Sequence, residues 1–398
     1  MQKKINTYPN RQAFGKEEIS LVRSVINYYS KKKIDPPYQG IFEKKLSLRF
    51  SKFMHGGFAL PVATGTSAAL IALQALMLKE KSEILISAVN DSGPINSLIF
   101  LNLRPKIIDS KKNSYNIDLN SLKKKITKKT RAVLITHIAG QSLEISKIKN
   151  FLKKKNIFLI EDCSQAPGAE CYQCEKRCDG CVNKKVGEFG DISLFSTMYR
   201  KNISSGGSGG IVFTKKEKIF RKIQAFADRG KQPWKKINQN DPSMALFPAL
   251  NHNTNEFSCA ITLASLNRLD KTNKKRREIL KYLIKKMKAC LVCKPSYFDN
   301  GFAPFFFPIE VNEKLLKVSK KEFAKNLKRQ GVGCLEEYNC VVSKWKWIKK
   351  YFKSDFFAKN ATDYSNKTFN LFINENLKKI QIDKIVNIII NLEKKFLK

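Results

Sequence analysis

This chain predicts an α/β fold: a large domain on a mostly parallel sheet, followed by a smaller C-terminal α+β domain. Three observations carry that expectation. First, short apolar stretches recur between residues 60 and 213 and read as strands: Glu83–Val89 (EILISAV), Ala132–Ile138 (AVLITHI), Ile157–Cys163 (IFLIEDC), Asp191–Ser196 (DISLFS) and Gly209–Phe213 (GGIVF). Several are apolar almost without interruption, the pattern of strands buried on both faces of a parallel sheet. Second, Thr66–Glu80 and Ser146–Asn156 lie between them and carry helical periodicity. Strands alternating with helices imply a sheet covered on both faces, with its ligand site at the carboxyl ends of the strands. Third, the texture changes after Leu266. A long helical pattern over Ala264–Cys290 leads to a strand at Phe302–Val311 and helices at Ser319–Gly331 and Gln381–Phe396. We therefore divide the chain into a large domain, 1–268, whose N-terminal segment is free to join the small domain, and a small domain, 269–398.

Composition sets further bounds. The chain has 398 residues, 42% hydrophobic, enough for a sizeable core. Its net charge of +41 invites a nucleic-acid reading. The lysines, however, are spread over the whole length, in runs such as Ser121–Arg131 and Lys147–Asn156 that read as solvated helix faces. No helix-turn-helix, RNP-like aromatic motif or basic tail accompanies them, so the charge reads as a compositional habit. The start lacks the apolar core of a signal peptide. The longest apolar runs, such as Val386–Leu392, are too short to span a bilayer. The expectation is a cytoplasmic protein whose ten cysteines stay reduced.

The chemistry concentrates in three stretches. In Ala63–Leu73 (ATGTSAALIAL) a Gly-Thr-Ser turn opens an apolar helix. A helix amino terminus suits a phosphate, although Thr66 or Ser67 as a plain N-cap explains the same residues. In Leu159–Glu170 (LIEDCSQAPGAE), Glu161 and Asp162 end an apolar strand, where a carboxylate faces the ligand edge or caps a helix. In Phe195–Phe213 (FSTMYRKNISSGGSGGIVF), Lys201 lies between a strand and a glycine-rich turn. No Gly-Lys-Ser/Thr follows the glycines, which excludes a P-loop. The glycines precede a strand, which excludes a dinucleotide fingerprint. An amine, an acid at a neighbouring strand end and a phosphate anchor are what pyridoxal phosphate requires.

With these motifs in order, the sequence resembles the DegT-type (DegT/DnrJ/StrS) sugar aminotransferase family, pyridoxal-phosphate enzymes of the aspartate-aminotransferase fold, fold type I. The similarity runs from about Phe14 to the C-terminus through GTSAAL (65–70), THIAGQ (136–141), IEDCSQAPGAE (160–170), GEFGDISLFS (187–196), RKNISSGGSGG (200–210) and ALNHNTNEFSCAITLASLNRL (249–269). The resemblance implies that Lys201 forms the covalent bond to the cofactor and later moves the proton. It implies that Asp162 pairs with the pyridinium nitrogen and that Gln165 lies near the phenolic oxygen. Gly65, Thr66, Ser67 and Ser196 would hold the phosphate, and Asn251 would reach the phosphate of a neighbouring subunit, which implies a homodimer with shared sites. The implied reaction moves an amino group from an amino acid, glutamate for instance, to a keto group on a nucleotide-linked sugar, in polysaccharide biosynthesis. A cyclitol-ketone aminotransferase, a sugar dehydratase, and a regulatory or nucleic-acid-binding protein on the same scaffold stand as alternatives. Relatives that act as dehydratases carry histidine in place of the lysine, and Lys201 argues against that reading.

Two departures stand out. Many members place an aromatic residue over the cofactor ring, where this chain has Asn90 or Asp91. Their His-Tyr-Pro-like motif is also missing near GCLEEYNC (333–340). Of the three histidines, His137 reads as packed and structural, His252 as able to approach the site, and His55 has no motif around it. Finally, Cys171, Cys174, Cys178 and Cys181 are spaced C-x2-C-x3-C-x2-C in an apparent insertion. Four thiolates at this spacing suit one structural zinc, with an iron–sulfur cluster second and free thiols third.

Overall fold

The computed structural model describes residues 14–171, 184–235, 241–352 and 356–398. The large domain contains α1 (Lys16–Lys32), α2 (Ile41–Phe53), β1 (Phe58–Val62), α3 (Gly65–Ala75), β2 (Glu83–Ser87), α4 (Ser92–Phe100), β3 (Arg104–Ile108), α5 (Leu119–Lys125), β4 (Thr130–Thr136), α6 (Ile145–Lys153), β5 (Phe158–Asp162), β6 (Ile192–Ser196), β7 (Gly210–Thr214), α7 (Glu217–Ala227) and α8 (Glu256–Asn267). Its seven strands run in the order β1-β7-β6-β5-β4-β2-β3. β7 is antiparallel to both neighbours, and the other pairs are parallel.

The central strands alternate between two cores. Leu134 and Ile160 join the core beneath α3 and α4, whereas Val133 and Leu159 join the core beneath α5 and α6. This alternation also decides which way the residues at the strand ends point.

The second sheet holds β8 (Cys293–Pro295), β9 (Phe306–Val311), β10 (Cys334–Leu335) and β11 (Thr368–Phe372) in the antiparallel order β10-β11-β9-β8. It is flanked by α9 (Leu269–Lys286), α10 (Lys320–Arg329), α11 (Lys359–Lys367) and α12 (Lys379–Phe396).

Three details bear on the sequence reading. The long helix expected over 264–290 breaks at Arg268, which leaves the helical region (φ −97°, ψ 0°) and separates α8 from α9. The described N-terminal helices pack on the large sheet: Val25, Tyr29, Phe42, Leu46 and Phe50 share a core with Phe195, Phe213 and Cys259. The C-terminal part also reaches back across the boundary, since Tyr338, Val341, Ile348, Phe352 and Tyr364 lie in the large-domain core. That return brings residues of the small domain to the carboxyl edge of the large sheet. Among the described residues, no helix is long and apolar enough to cross a membrane.

Candidate active site

At the carboxyl edge, β5 and β6 are parallel neighbours, so the residues that follow them face one cleft. Asp162 ends β5 and is buried. Its Oδ1 accepts from the Ser164 amide at 2.9 Å. Lys201 lies in the turn after β6, held by its own amide donating to Met198 O at 2.8 Å, and its Nζ sits 4.8 Å from the Phe305 ring centroid.

Burial pushes the Asp162 carboxyl up, opposed by its bonds from Ser164 and by the charge of Lys201. Burial pushes the Lys201 amine down, opposed by Asp162, Asp91 and Cys340. Desolvation thus drives both groups toward neutrality while their attraction favours the ion pair. The result is an amine that loses its proton more readily than a free lysine, beside a carboxylate able to stabilise a proton on a bound base.

The lysine turn is braced from the small domain. Asn202 is buried, and its Oδ1 accepts from Arg276 Nη1 at 2.5 Å; Arg276 Nη2 in turn donates to Glu375 at 2.7 Å. The glycines around it serve the chain's own packing. A Cβ on Gly209 would collide with Thr197 Oγ1, and one on Gly210 would collide with Thr64 O.

A cup forms where α3 meets Ser196. The N-cap is Thr64, a little earlier than Thr66 or Ser67: its Oγ1 accepts from the Ser67 amide at 2.8 Å. Gly65 is required because a Cβ there would lie 2.8 Å from Ser196 Cβ. Thr66 is exposed at the helix start, while Ser67 is buried, with its Oγ 2.9 Å from Thr64 Oγ1 and 3.2 Å from His252 Nδ1. Gln165 is held at both ends: Oε1 accepts from Ala139 N at 3.0 Å, and Nε2 donates to the Tyr338 hydroxyl at 2.8 Å. Ala139 sits in the left-handed region (φ 63°), a conformation that costs energy for a non-glycine residue.

Glu161 takes no part in the cleft. Facing the opposite way, it accepts from the amides of Gly187 (2.9 Å), Phe189 (2.9 Å) and Gly190 (2.5 Å), and pairs with His137 Nε2 at 3.0 Å. His137 is therefore structural, as its packing suggested. Its Nδ1 accepts from Leu143 N at 3.3 Å, which leaves the proton on Nε2. His137, Glu161 and Cys163 lie close enough together to raise a metal site. The hydrogen bonds already satisfy both the carboxylate and the imidazole, so this cluster is a brace. His55 is exposed and bonds Glu188 at 2.9 Å.

Several neighbours of Lys201 escaped sequence reasoning. Phe305, Tyr338 and Cys340 come from the small-domain half of the chain and carry no spacing signal. Asn90 N donates to Cys340 O at 2.9 Å, which brings the end of β2 against the same segment. Asp91 N-caps α4 through Gly93 N at 2.9 Å. Neither Asn90 nor Asp91 is aromatic; the ring that does face Lys201 is Phe305. Asn251 is exposed, and its Nδ2 lies 3.4 Å from the Tyr38 hydroxyl. No bond joins Asn251 to the cup of its own chain among the described residues, whereas its neighbour His252 does touch Ser67. Of the cysteine cluster, Cys174, Cys178 and Cys181 lie outside the described residues; Cys171 is half-buried, with its amide donating to Lys184 O at 3.1 Å.

These residues fit pyridoxal phosphate. Among the described residues, the buried side-chain atoms Asn90 Oδ1 and Nδ2, Thr136 Oγ1 and His252 Nε2 have no hydrogen-bond partner. Orphaned buried polar atoms are costly, and these lie at the ends of β2 and β4 and beside the cup. A glycine cradle at a helix amino terminus suits a phosphate, and the half-buried Lys201 amine near the buried Asp162 carboxyl suits an aldehyde-bearing pyridine.

Comparison with known proteins agrees. The family model described as the DegT/DnrJ/EryC1/StrS aminotransferase family matches residues 15–390. GDP-perosamine synthase of Escherichia coli O157:H7 is 28% identical over 245 residues, 61% of this chain and 62% of that protein. The spore coat polysaccharide biosynthesis protein SpsC of Bacillus subtilis is 27% identical over 396 residues, 96% of this chain and 95% of that protein. Among solved structures, Helicobacter pylori PseC, described as an aminotransferase involved in the biosynthesis of pseudoaminic acid, has a TM-score of 0.84 at 23% identity. That match covers 96% of this chain and 98% of the other. At that identity the likeness establishes the fold, fold type I. The chain belongs to the DegT/DnrJ/EryC1/StrS aminotransferase family.

Proposed function

We propose that this member of the DegT/DnrJ/EryC1/StrS family is a pyridoxal-phosphate-dependent aminotransferase. It moves an amino group from an amino acid, with glutamate as the first candidate, to a keto group of a nucleotide-linked sugar. The observation that carries the reading is the half-buried Lys201, within electrostatic reach of the buried Asp162 and beside the Gly65–Ser196 cup. When bound, pyridoxal phosphate supplies the electron sink that makes the donor's α-proton removable.

The chain's own residues do the rest. Gly65, Thr66, Ser67 and Ser196 anchor the phosphate at the amino terminus of α3, where unpaired amides favour an anion. Asp162, short of donors and buried, holds a proton on the ring nitrogen. Gln165, fixed by Ala139 and Tyr338, would keep one amide proton to offer the cofactor's phenolic oxygen. Lys201 would hold the cofactor's aldehyde carbon, and its lowered pKa suits its amine, when free, to take up and return a proton. Phe305 lies against the amine and covers one side of it.

Support for the sugar substrate comes from the relatives, whose names include GDP-perosamine synthase and dTDP-3-amino-3,6-dideoxy-alpha-D-galactopyranose transaminase. A related solved structure is a GDP-4-keto-6-deoxymannose-3-dehydratase. Lys201 favours transamination over that chemistry. The test incubates purified holoenzyme with amino donors and then with nucleotide keto-sugars. The reading predicts a donor-driven loss of the cofactor's visible band and an aminated sugar product. Absence of both, with cofactor bound, would overturn it.

A homodimer with shared sites belongs to the same proposal. It is supported by exposed apolar side chains near exposed Asn251, namely Leu250 beside it in the chain and Tyr38, whose hydroxyl its Nδ2 approaches at 3.4 Å. Mixing an Asn251→Ala chain with a Lys201→Ala chain should restore activity through hybrid sites; an active monomer in light scattering would contradict it. The cysteine spacing supports one structural zinc. Elemental analysis should find about one zinc per chain, lost on replacing Cys174 and Cys178 by serine while the cofactor colour persists; a metal-free wild type would end that part.

A further inference from the structure

Residues 345–351 form a cationic aromatic surface that the chemistry at Lys201 does not use. The segment is seated firmly: Ile348 is fully buried and Phe352 nearly so, both in the large-domain core. Between these anchors the side chains point outward. Trp347 is 52% exposed, and Lys346, Lys349, Lys350 and Tyr351 are exposed beside it. The Trp345 and Trp347 rings are parallel within 9°, with centroids 6.4 Å apart. Trp345 is held by its Nε1, which donates to Asn339 O at 2.6 Å. Glu337, the nearby acid, is taken by Lys344 at 2.6 Å and so does not neutralise the three outer lysines.

The stretch of chain that carries this surface begins at the end of β2, near Lys201. Cys340 O accepts from Asn90 N and Ala88 O accepts from Val342 N, each at 2.9 Å, and Val341 bridges Val89. Cys340 contributes to the electrostatic surroundings of Lys201. Trp347 follows seven residues later, so its Cα lies at most about 25 Å from that of Cys340, and the 3-10 turns over Val342–Lys344 and Lys346–Tyr351 shorten that path further. A hexose joined through a diphosphate to a nucleoside covers such a span.

We propose that this surface holds the nucleoside diphosphate end of the substrate. The base stacks on Trp347, and the diphosphate lies against Lys346, Lys349 and Lys350, while the sugar reaches Lys201. The inference rests on the aminotransferase reading above. The chemistry is general: every base has a π-face for an aromatic platform, and lysines bind phosphate as point charges. A seated platform of this kind also loses little conformational entropy on binding.

The experiment titrates the wild-type holoenzyme with uridine, thymidine and guanosine diphosphates, followed by calorimetry and by tryptophan fluorescence. Two of the chain's three tryptophans lie on the surface. The expected result is quenching by at least one diphosphate, with affinity falling about tenfold or more in Trp347→Ala. A Lys346→Glu/Lys349→Glu/Lys350→Glu variant should lose affinity by at least as much and flatten its salt dependence. Both variants replace exposed side chains and should keep the glutamate-driven change in cofactor absorbance. Affinity within twofold of wild type in both variants overturns the inference, as does the absence of binding by all three diphosphates. If the amino-donor step fails while nucleotide binding behaves as described, it is the aminotransferase reading that falls.

Discussion

Glu161 and Asp162 are adjacent on β5, yet the two faces of the sheet treat their carboxylates in opposite ways. On the α5/α6 side, Glu161 receives three amide bonds and the His137 proton; it is saturated and holds the 187–190 turn in place. On the α3/α4 side, Asp162 is bonded by Ser164 and feels the charge of the half-buried Lys201 amine. The difference teaches that burial alone does not mark a functional acid. The number of donors already spent on it does: a saturated carboxylate is a strut, and an unsaturated one beside a cation is poised for a ligand.

The largest effect should come from removing the amine. Lys201→Ala should abolish transamination while leaving the fold intact, as read by product formation and circular dichroism. Asp162→Asn should come next, keeping a normal melting temperature while losing about 100-fold or more in turnover, because the amide cannot stabilise the ring proton. Glu161→Ala should do the reverse, destabilising the protein by about 3–5 kcal/mol in chemical denaturation, because it strands His137 and three amides. If Asp162→Asn unfolds the chain and Glu161→Ala does not, the assignment of strut and working acid is inverted.

A pH profile sharpens the same contrast. Cofactor uptake needs neutral Lys201, so its rate should rise with pH through a midpoint below that of a free lysine. The Asp162 charge holds the lysine protonated, so Asp162→Asn should move the midpoint to lower pH. A midpoint unchanged in stopped-flow absorbance would mean that the two groups do not interact. The smallest effect is expected at Tyr338→Phe. Removing one hydrogen bond to Gln165 should cost about 1 kcal/mol and a few-fold in turnover.

The same physics explains what the sequence made legible. The central strands β2, β4, β5, β6 and β7 stand out as apolar runs because both faces are buried. β1 (FALPV) and β3 (RPKII) occupy the two ends of the sheet order; Pro61, Arg104 and Lys106 are tolerated there and mask the signal. The helix start in GTSAAL was visible, but its cap fell on Thr64, because a cap lies outside the helical dihedrals and its register is hard to read. Asp162 and Lys201 were legible because each follows or ends an apolar strand. Tyr338 and Gln165 were not paired in the sequence, since 173 residues separate them and only the return of the small domain brings them together. Phe305 was likewise hidden within an apolar run read as strand.

The central claim is that Lys201, out of a lysine-rich chain, bonds the cofactor. Borohydride reduction of the purified yellow holoenzyme, followed by peptide mapping, tests it most directly. The expected result is a single pyridoxyl modification on Lys201, diminished by prior incubation with an amino donor. A modification on any other lysine, or a protein that takes up no pyridoxal phosphate, would contradict it.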